Sequence, residues 1–276
     1  MKTYLINLDR SPDRLAFFTN QAKEVGLSFE RIAAIDGRLL PDTTWKSFVA
    51  KKFEFQPINV FEAAVFLSHK CIWERIVRHR IPMATVFEDD VLLSATIANT
   101  LNAIEQENLA FDLIKIETTL RPVVLSKQQT NLSSGDSLRY LKSWHGGAAG
   151  YVISLEGAEK LSRATNLIAD QVDQVLFNPL SSISKTLRIL QCFPGGCVQK
   201  DLQNRNNQAT FESTIERRNT RGKLFRHGPV VDLQRLLKKF KQKRIAQRLA
   251  QLPENEQIVV PMSVTDSAGI SKSIAA

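Results

Sequence analysis

The stretch Met83-Ala84-Thr85-Val86-Phe87-Glu88-Asp89-Asp90-Val91-Leu92-Leu93 decides how the chain is read. Its first half is apolar, follows Pro82 and is too short for a helix, so it predicts a buried strand. Three consecutive carboxylates stand at the end of that strand. They repel one another and lose hydration as they approach a core. A divalent cation relieves both costs. Mg2+ or Mn2+ takes hard oxygen ligands, usually one or two carboxylates, with substrate phosphates completing the shell. Open α/β sheets bind ligands beyond the carboxyl ends of their strands. The segment therefore predicts a metal site that holds a phosphorylated or nucleotide substrate. The bland alternative is a solvated turn.

The flanking chain supplies the rest of an α/β domain. Tyr4-Leu5-Ile6-Asn7-Leu8 reads as a first strand, and Ser11-Pro12-Asp13 offers an N-cap with proline at the first helical position. Leu15, Phe18 and Ala22 recur at helical spacing up to Gly26, and residues 29–35 read as a second strand. A strong helix is expected over 62–77, a further one around 95–105, and a strand over 111–117. A Gly- and Ala-rich loop over 143–150 leads into a strand at Tyr151-Val152-Ile153, followed by a helix from Leu155, a short helix over 170–177 and a late strand over 187–193.

Composition bounds the class. The chain has 276 residues, 43% hydrophobic and 24% charged, which is ordinary for a globular protein large enough to bury a sizeable core. No run approaches the ~20 apolar residues of a membrane span. The opening Met1-Lys2-Thr3-Tyr4-Leu5-Ile6-Asn7 turns polar too soon for a signal peptide, so a cytoplasmic location is expected. Three cysteines, Cys71, Cys192 and Cys197, form no paired framework and no zinc-ligand spacing, which suits a reducing compartment.

The net charge of +9 belongs to one segment. Residues 217–248 hold twelve Lys or Arg and one acid, Asp232, so the body of the chain is slightly acidic. Leu233, Leu236, Leu237 and Phe240 share a helical face there. A cationic amphipathic helix suits an anionic membrane surface. Nucleic acid ranks last, because Phe225 and Phe240 are the only aromatics in the stretch. The expected organisation is a catalytic domain over 1–215, a basic helical extension over 216–252 and a disordered tail over 253–276.

Four groups of residues in order resemble glycosyltransferase family 25, the bacterial enzymes that build lipooligosaccharide and lipopolysaccharide. They are Ile6-Asn7-Leu8-Asp9-Arg10 with Asp13-Arg14 and Ala34-Ile35-Asp36-Gly37; Glu62 to Ser68-His69 with Trp73; Phe87-Glu88-Asp89-Asp90-Val91 with Asp112 to Glu117; and Gly150-Tyr151 to Ser154 with Gly157-Ala158, Asp170 and Asp173. They span roughly residues 4–202. Ala64-Val65 stands where members often carry Gly-Cys. The resemblance implies a GT-A-like, Rossmann-type fold: a mostly parallel sheet flanked by helices, with the basic helix as an addition. It also implies a UDP-sugar donor, galactose most often, and inversion at the anomeric carbon; the basic segment adds the expectation of a lipid-linked oligosaccharide acceptor met at the inner face of the cytoplasmic membrane.

Roles follow from that resemblance. Glu88 and Asp90 would face Mn2+ or Mg2+, since alternate residues of an extended segment share a side. Asp89 is left for the nucleotide ribose or a structural partner. Asn7, Arg14, His69 and Lys115 are expected at the donor, the two cations as phosphate contacts. Asp170 and Asp173, spaced i,i+3, are the candidates for the base that takes the acceptor proton, with Asp173 preferred; helix capping is the competing role, strongest for Asp170. Asp201 is a third candidate for the base, and His145 a further metal or sugar contact. Two other functions fit the same residues: a glycoside hydrolase using two carboxylates, and a non-catalytic nucleotide-sugar-binding protein of the same fold.

Overall fold

The computed structural model describes residues 1–107, 109–203, 229–265 and 271–274. The chain runs β1 (Lys2–Asn7), α1 (Pro12–Glu24), β2 (Glu30–Ala33), α2 (Asp42–Ser47), α3 (Val60–Arg78), β3 (Met83–Glu88) and β4 (Val91–Leu93). It continues through α4 (Ile97–Gln106), β5 (Leu113–Lys115), β6 (Glu117–Thr118), β7 (Pro122–Asn131), β8 (Ser137–Leu141) and β9 (Gly150–Ser154). Then come α5 (Leu155–Ala164), α6 (Val172–Phe177), β10 (Ile189–Phe193), β11 (Cys197–Gln199) and α7 (Lys200–Gln203). The last elements are α8 (Pro229–Ala250), β12 (Asn255–Val259), β13 (Met262–Thr265) and β14 (Ser271–Ile274).

Nine strands make one sheet, ordered β12-β7-β8-β10-β5-β9-β3-β1-β2. β1 pairs in parallel with β2 and β3, and β5 with β10; every other neighbour pair is antiparallel. The sheet is thus mixed, which corrects the mostly parallel sheet expected from the sequence. The cause is topological. β9 inserts antiparallel between β3 and β5, and the β7–β8 hairpin with β12 extends the sheet beyond β10.

Alternation along the strands builds two cores, one on each face. Tyr4 and Ile6 of β1, Tyr151 and Ile153 of β9, and Leu113 of β5 pack with Phe66 and Trp73 of α3, Leu161 of α5 and Val175 of α6. Leu5, Val152 and Ile114 point the other way, to Phe18 of α1 and Leu101 and Ile104 of α4. Helices therefore flank both faces. α3 begins on a capping box: the Asn59 side chain accepts from Phe61 N and Glu62 N, and Glu62 accepts from Asn59 N at 2.9 Å. The N-cap expected at Ser11 makes no side-chain capping bond, and Pro12 alone marks that helix start.

A second sheet, β4-β11-β6, caps one end of the first. Three strands run on into it across a short break: β3 into β4, β5 into β6 and β10 into β11. Close contact at this joint requires glycine, because a Cβ on Gly150 would lie 2.3 Å from the Cys197 sulfur. Cys192 and Cys197 are buried packing residues with free thiols, as is the more exposed Cys71 free.

The tail over 253–276 was expected to be disordered, and residues 255–265 are not. β12 pairs residue for residue with β7, from Asn255 opposite Ser126 to Val259 opposite Pro122. Val260 is fully buried, its carbonyl accepts from Thr118 Oγ1 at 2.5 Å, and Ser263 N donates to Gly195 O at 2.8 Å. Small polar composition concealed a strand that needs only an open edge and the alternation Ile258, Val260, Met262, Val264. Of the basic stretch, residues 217–228 lie outside the described residues, while α8 is helical over Pro229–Ala250. Among the described residues no helix is long and apolar enough to cross a membrane.

Candidate active site

Glu88 ends β3, and Asp89 and Asp90 form the turn into β4. The alternation expected of an extended segment therefore stops at Glu88, and each acid meets its own partners. Asp89 is buried: Oδ2 accepts from Asn7 Nδ2 at 2.6 Å, and Oδ1 lies 3.2 Å from Arg14 Nε. The other end of the same guanidinium donates to Asp90 Oδ2 at 2.6 Å. Asn7 spends its whole amide on structure. It also donates to Ser11 O at 3.0 Å and accepts from Arg31 Nε at 2.8 Å. Asn7 and Arg14, expected at the donor, thus fix the acidic turn.

Glu88 is held from α3. His69 Nε2 is 3.2 Å from Glu88 Oε1, and His69 Nδ1 is 2.9 Å from the Tyr151 hydroxyl. Trp73 Nε1 donates to that hydroxyl at 2.9 Å. All three rings are buried. One proton arrangement satisfies every group: Trp73 N–H to Tyr151 oxygen, Tyr151 O–H to His69 Nδ1, and His69 Nε2–H to Glu88. The neighbouring Ser68 Oγ accepts from Ile35 N at 2.9 Å, so adjacent residues of α3 hold two loops at the strand ends.

A third cluster lies where β5 passes into β6. Lys115 and Glu117 are fully buried, with Lys115 Nζ donating to Glu117 Oε2 at 2.7 Å and to Gly147 O at 2.6 Å. Lys115 Nζ also stands 4.4 Å from the centre of the Phe177 ring. Its charge is paired with Glu117 in this buried cluster. Glu117 Oε2 accepts from Ala149 N at 3.0 Å, while Oε1 is buried without a hydrogen bond. Gly147, at φ +82°, has no room for a side chain, since a Cβ would sit 2.4 Å from Glu117 Oε1. Glu117 lay inside a quoted motif without a role; its spacing of two from Lys115 was the available signal.

The two candidate bases separate. Asp170 is buried and accepts from Glu54 N, Phe55 N and Gln56 N at 2.8, 2.9 and 3.0 Å. It anchors the loop that leads to α3. Burial pushes its carboxyl up to about 6 against three amides that favour the ionised form. Asp173, in the first turn of α6, is half-buried and accepts from Gly147 N at 3.2 Å through Oδ2. It alone of the pair joins the Gly146-Gly147 loop. His145 is spent on structure: Nδ1 pairs with Gln191 Oε1 at 2.8 Å, Nε2 accepts from Thr119 N at 3.2 Å, and burial pushes its pKa down to about 3. Asp201 follows Lys200, whose amide donates to the Asp90 carbonyl at 2.9 Å.

The electrostatics single out Asp90. Its Oδ1 is buried and accepts no hydrogen bond, although a third of the side chain is exposed. Burial, and then the Glu88 charge, push its carboxyl up to about 7 against the pull of Arg14, with Asp89 and Glu117 adding to the rise. Burial likewise raises Asp89 and Glu117. Among the described residues no group of three or more His, Cys, Asp or Glu is gathered as a metal cage. An orphaned carboxylate oxygen among mutually repelling acids nevertheless fits a cation shared with a substrate diphosphate, which needs one or two carboxylates.

Comparison with known proteins identifies the family. Residues 1–176 match the family described as Glycosyltransferase family 25 (LPS biosynthesis protein). Lipooligosaccharide biosynthesis protein lex-1 of Haemophilus influenzae is 31% identical over 206 residues, 70% of this chain and 62% of that protein. The chain therefore spans less than two thirds of that relative. Lacto-N-neotetraose biosynthesis glycosyltransferase LgtE of Neisseria gonorrhoeae is 26% identical over 269 residues, 91% of this chain and 96% of its own length. A bovine relative named as a probable inactive glycosyltransferase 25 family member 3 is 29% identical over 178 residues, 58% of this chain and 28% of that one.

Proposed function

The chain belongs to glycosyltransferase family 25, and we propose that it moves a hexose, galactose in the first instance, from a UDP-sugar to a hydroxyl of a lipooligosaccharide core. The observation that carries this reading is Asp90, with an orphaned buried oxygen beside Glu88 at the carboxyl end of β3. Glu88 and Asp90 would hold Mn2+ or Mg2+, which when bound would supply Lewis-acid stabilisation of the UDP leaving group. Arg14 keeps Asp89 and Asp90 at fixed positions, and the Trp73–Tyr151–His69 relay keeps Glu88 aimed. Asp173 takes the acceptor proton as the hydroxyl attacks. Attack on the face opposite the leaving diphosphate inverts the anomeric carbon. The name of lex-1 supports a lipooligosaccharide acceptor, and that of LgtE supports glycosyl transfer in oligosaccharide synthesis. The basic segment over 217–248 supports docking on an anionic membrane surface beside a lipid-linked acceptor.

The test is UDP release by the full chain with a panel of UDP-sugars and core oligosaccharides, with Mn2+ and with chelator. We expect metal-dependent turnover of one donor, abolished in Asp90→Ala and reduced about 10²–10⁴-fold in Asp173→Asn. Turnover that persists in chelator would sink the metal assignment. Binding of UDP without turnover of any donor would favour the non-catalytic reading, to which the pairing of Arg14 with both Asp89 and Asp90 lends weight.

A further inference from the structure

Trp144 is the one tryptophan that is not buried. The chain has three, and Trp45 and Trp73 are 8% and 0% exposed, against 39% for Trp144. An exposed indole is informative when the chain around it is held rigidly. Here it is. On one side His145 is pinned through both ring nitrogens, and its amide donates to Phe177 O at 3.3 Å. On the other, Gly147 accepts from Lys115 Nζ and donates to Asp173 Oδ2. Between them, Gly146 brings two side chains together: a Cβ there would lie 3.3 Å from Trp144 Cζ2 and 3.6 Å from Asp173 Oδ2. An apolar ring and a carboxylate thus flank one glycine, on a loop held by these contacts.

We propose that Trp144 is the platform for the acceptor sugar, stacking the C–H face of a pyranose so that one of its hydroxyls meets Asp173. The proposal rests on the transferase reading and deepens it by locating the acceptor. A pyranose is the ligand that matches both flanking groups: one face presents C–H groups to an aromatic ring, while the rim presents O–H donors to a carboxylate acceptor. A uracil ring also stacks on indole, so UDP is the competing occupant that the test must separate from a glycoside.

Acrylamide quenching of tryptophan fluorescence tests this on the full chain, because Trp144 is the most exposed of its three indoles and Trp144→Phe isolates its share. The probes are methyl β-galactoside, methyl β-glucoside, lactose and, separately, UDP. We expect at least one glycoside to protect the emission from quenching, and Trp144→Phe to remove the protected share. Unchanged quenching at saturating glycoside, or protection by UDP but by no glycoside, overturns the proposal. In steady-state transfer, Trp144→Ala should raise the acceptor KM roughly tenfold, the equivalent of one unfavourable stacking step, with a smaller change in donor KM, and Trp144→Phe should recover most of the loss. Equal losses in the two KM values would contradict it. A chain that transfers no sugar at all would sink the proposed function, while the quenching result would still decide whether Trp144 binds a saccharide.

Discussion

The Tyr151 hydroxyl is a single atom on which two buried side chains depend. Tyr151→Phe leaves Trp73 Nε1 and His69 Nδ1 without partners in a dry core. We expect it to lower stability by about 1–3 kcal/mol, read as a shift in the denaturant midpoint; a shift within error would show that the relay is not intact in solution. His69→Ala acts on the other end. It removes one contact that orients Glu88, and Mn2+ affinity, followed by titration with the metal, should fall about 10–100-fold. Asp90 makes stability depend on pH. Its carboxyl titrates near 7 in the fold and near 4 when unfolded. A proton held more tightly by the folded state stabilises it below about pH 4, and that contribution is lost as pH rises through about 7. The metal-free protein should therefore melt at a lower temperature at pH 8 than at pH 5.5. Mn2+ should raise the melting temperature more at pH 8, where no proton competes for Asp90. Asp90→Asn should flatten both trends, and a metal shift larger at pH 5.5 would contradict the assignment.

Elements differ in how openly the sequence announced them. α3 was legible because its apolar residues, Ala63, Phe66, Trp73 and Ile76 among them, recur on one face, and β3 because it is an apolar run with a sharp acidic end. The β7–β8 hairpin was not. Only the first half of β7 packs, at Val123, Val124 and Leu125, and the exposed Lys127-Gln128-Gln129 that follow carry no strand signal. The candidate site shows the same division. Glu88, Asp89 and Asp90 were visible as neighbours in the chain. Which carboxylate meets Arg14, which meets His69 and which loop Asp170 ties down depend on pairings between residues up to 116 positions apart, and no local pattern records those. Asp170 accordingly has a structural role as a loop anchor. Asp170→Ala strands three backbone amides at residues 54–56 and should lower the melting temperature more than Asn59→Ala, whose lost cap costs about 1 kcal/mol. The reverse order would remove the anchoring role.

At the scale of the whole molecule, the chain returns to its own sheet after the basic helix. β12 closes the edge of β7, and Val260 and Ser263 fasten the joint between the two sheets at Thr118 and Gly195. Residues 255–263 are therefore part of the same fold. A chain ending at Pro253 should lose soluble yield and melt at a lower temperature, because it bares a hydrogen-bonding edge that invites association; unchanged stability would show that β12 is dispensable. An edge strand, unlike a central one, can join a sheet that already exists. The covalent link through α8 then acts chiefly by keeping β12 at an effective concentration on the order of millimolar. A peptide covering residues 253–265, added to the truncated chain at that concentration, should restore what the link provided, so this protein could be divided into two fragments that rebuild it by association.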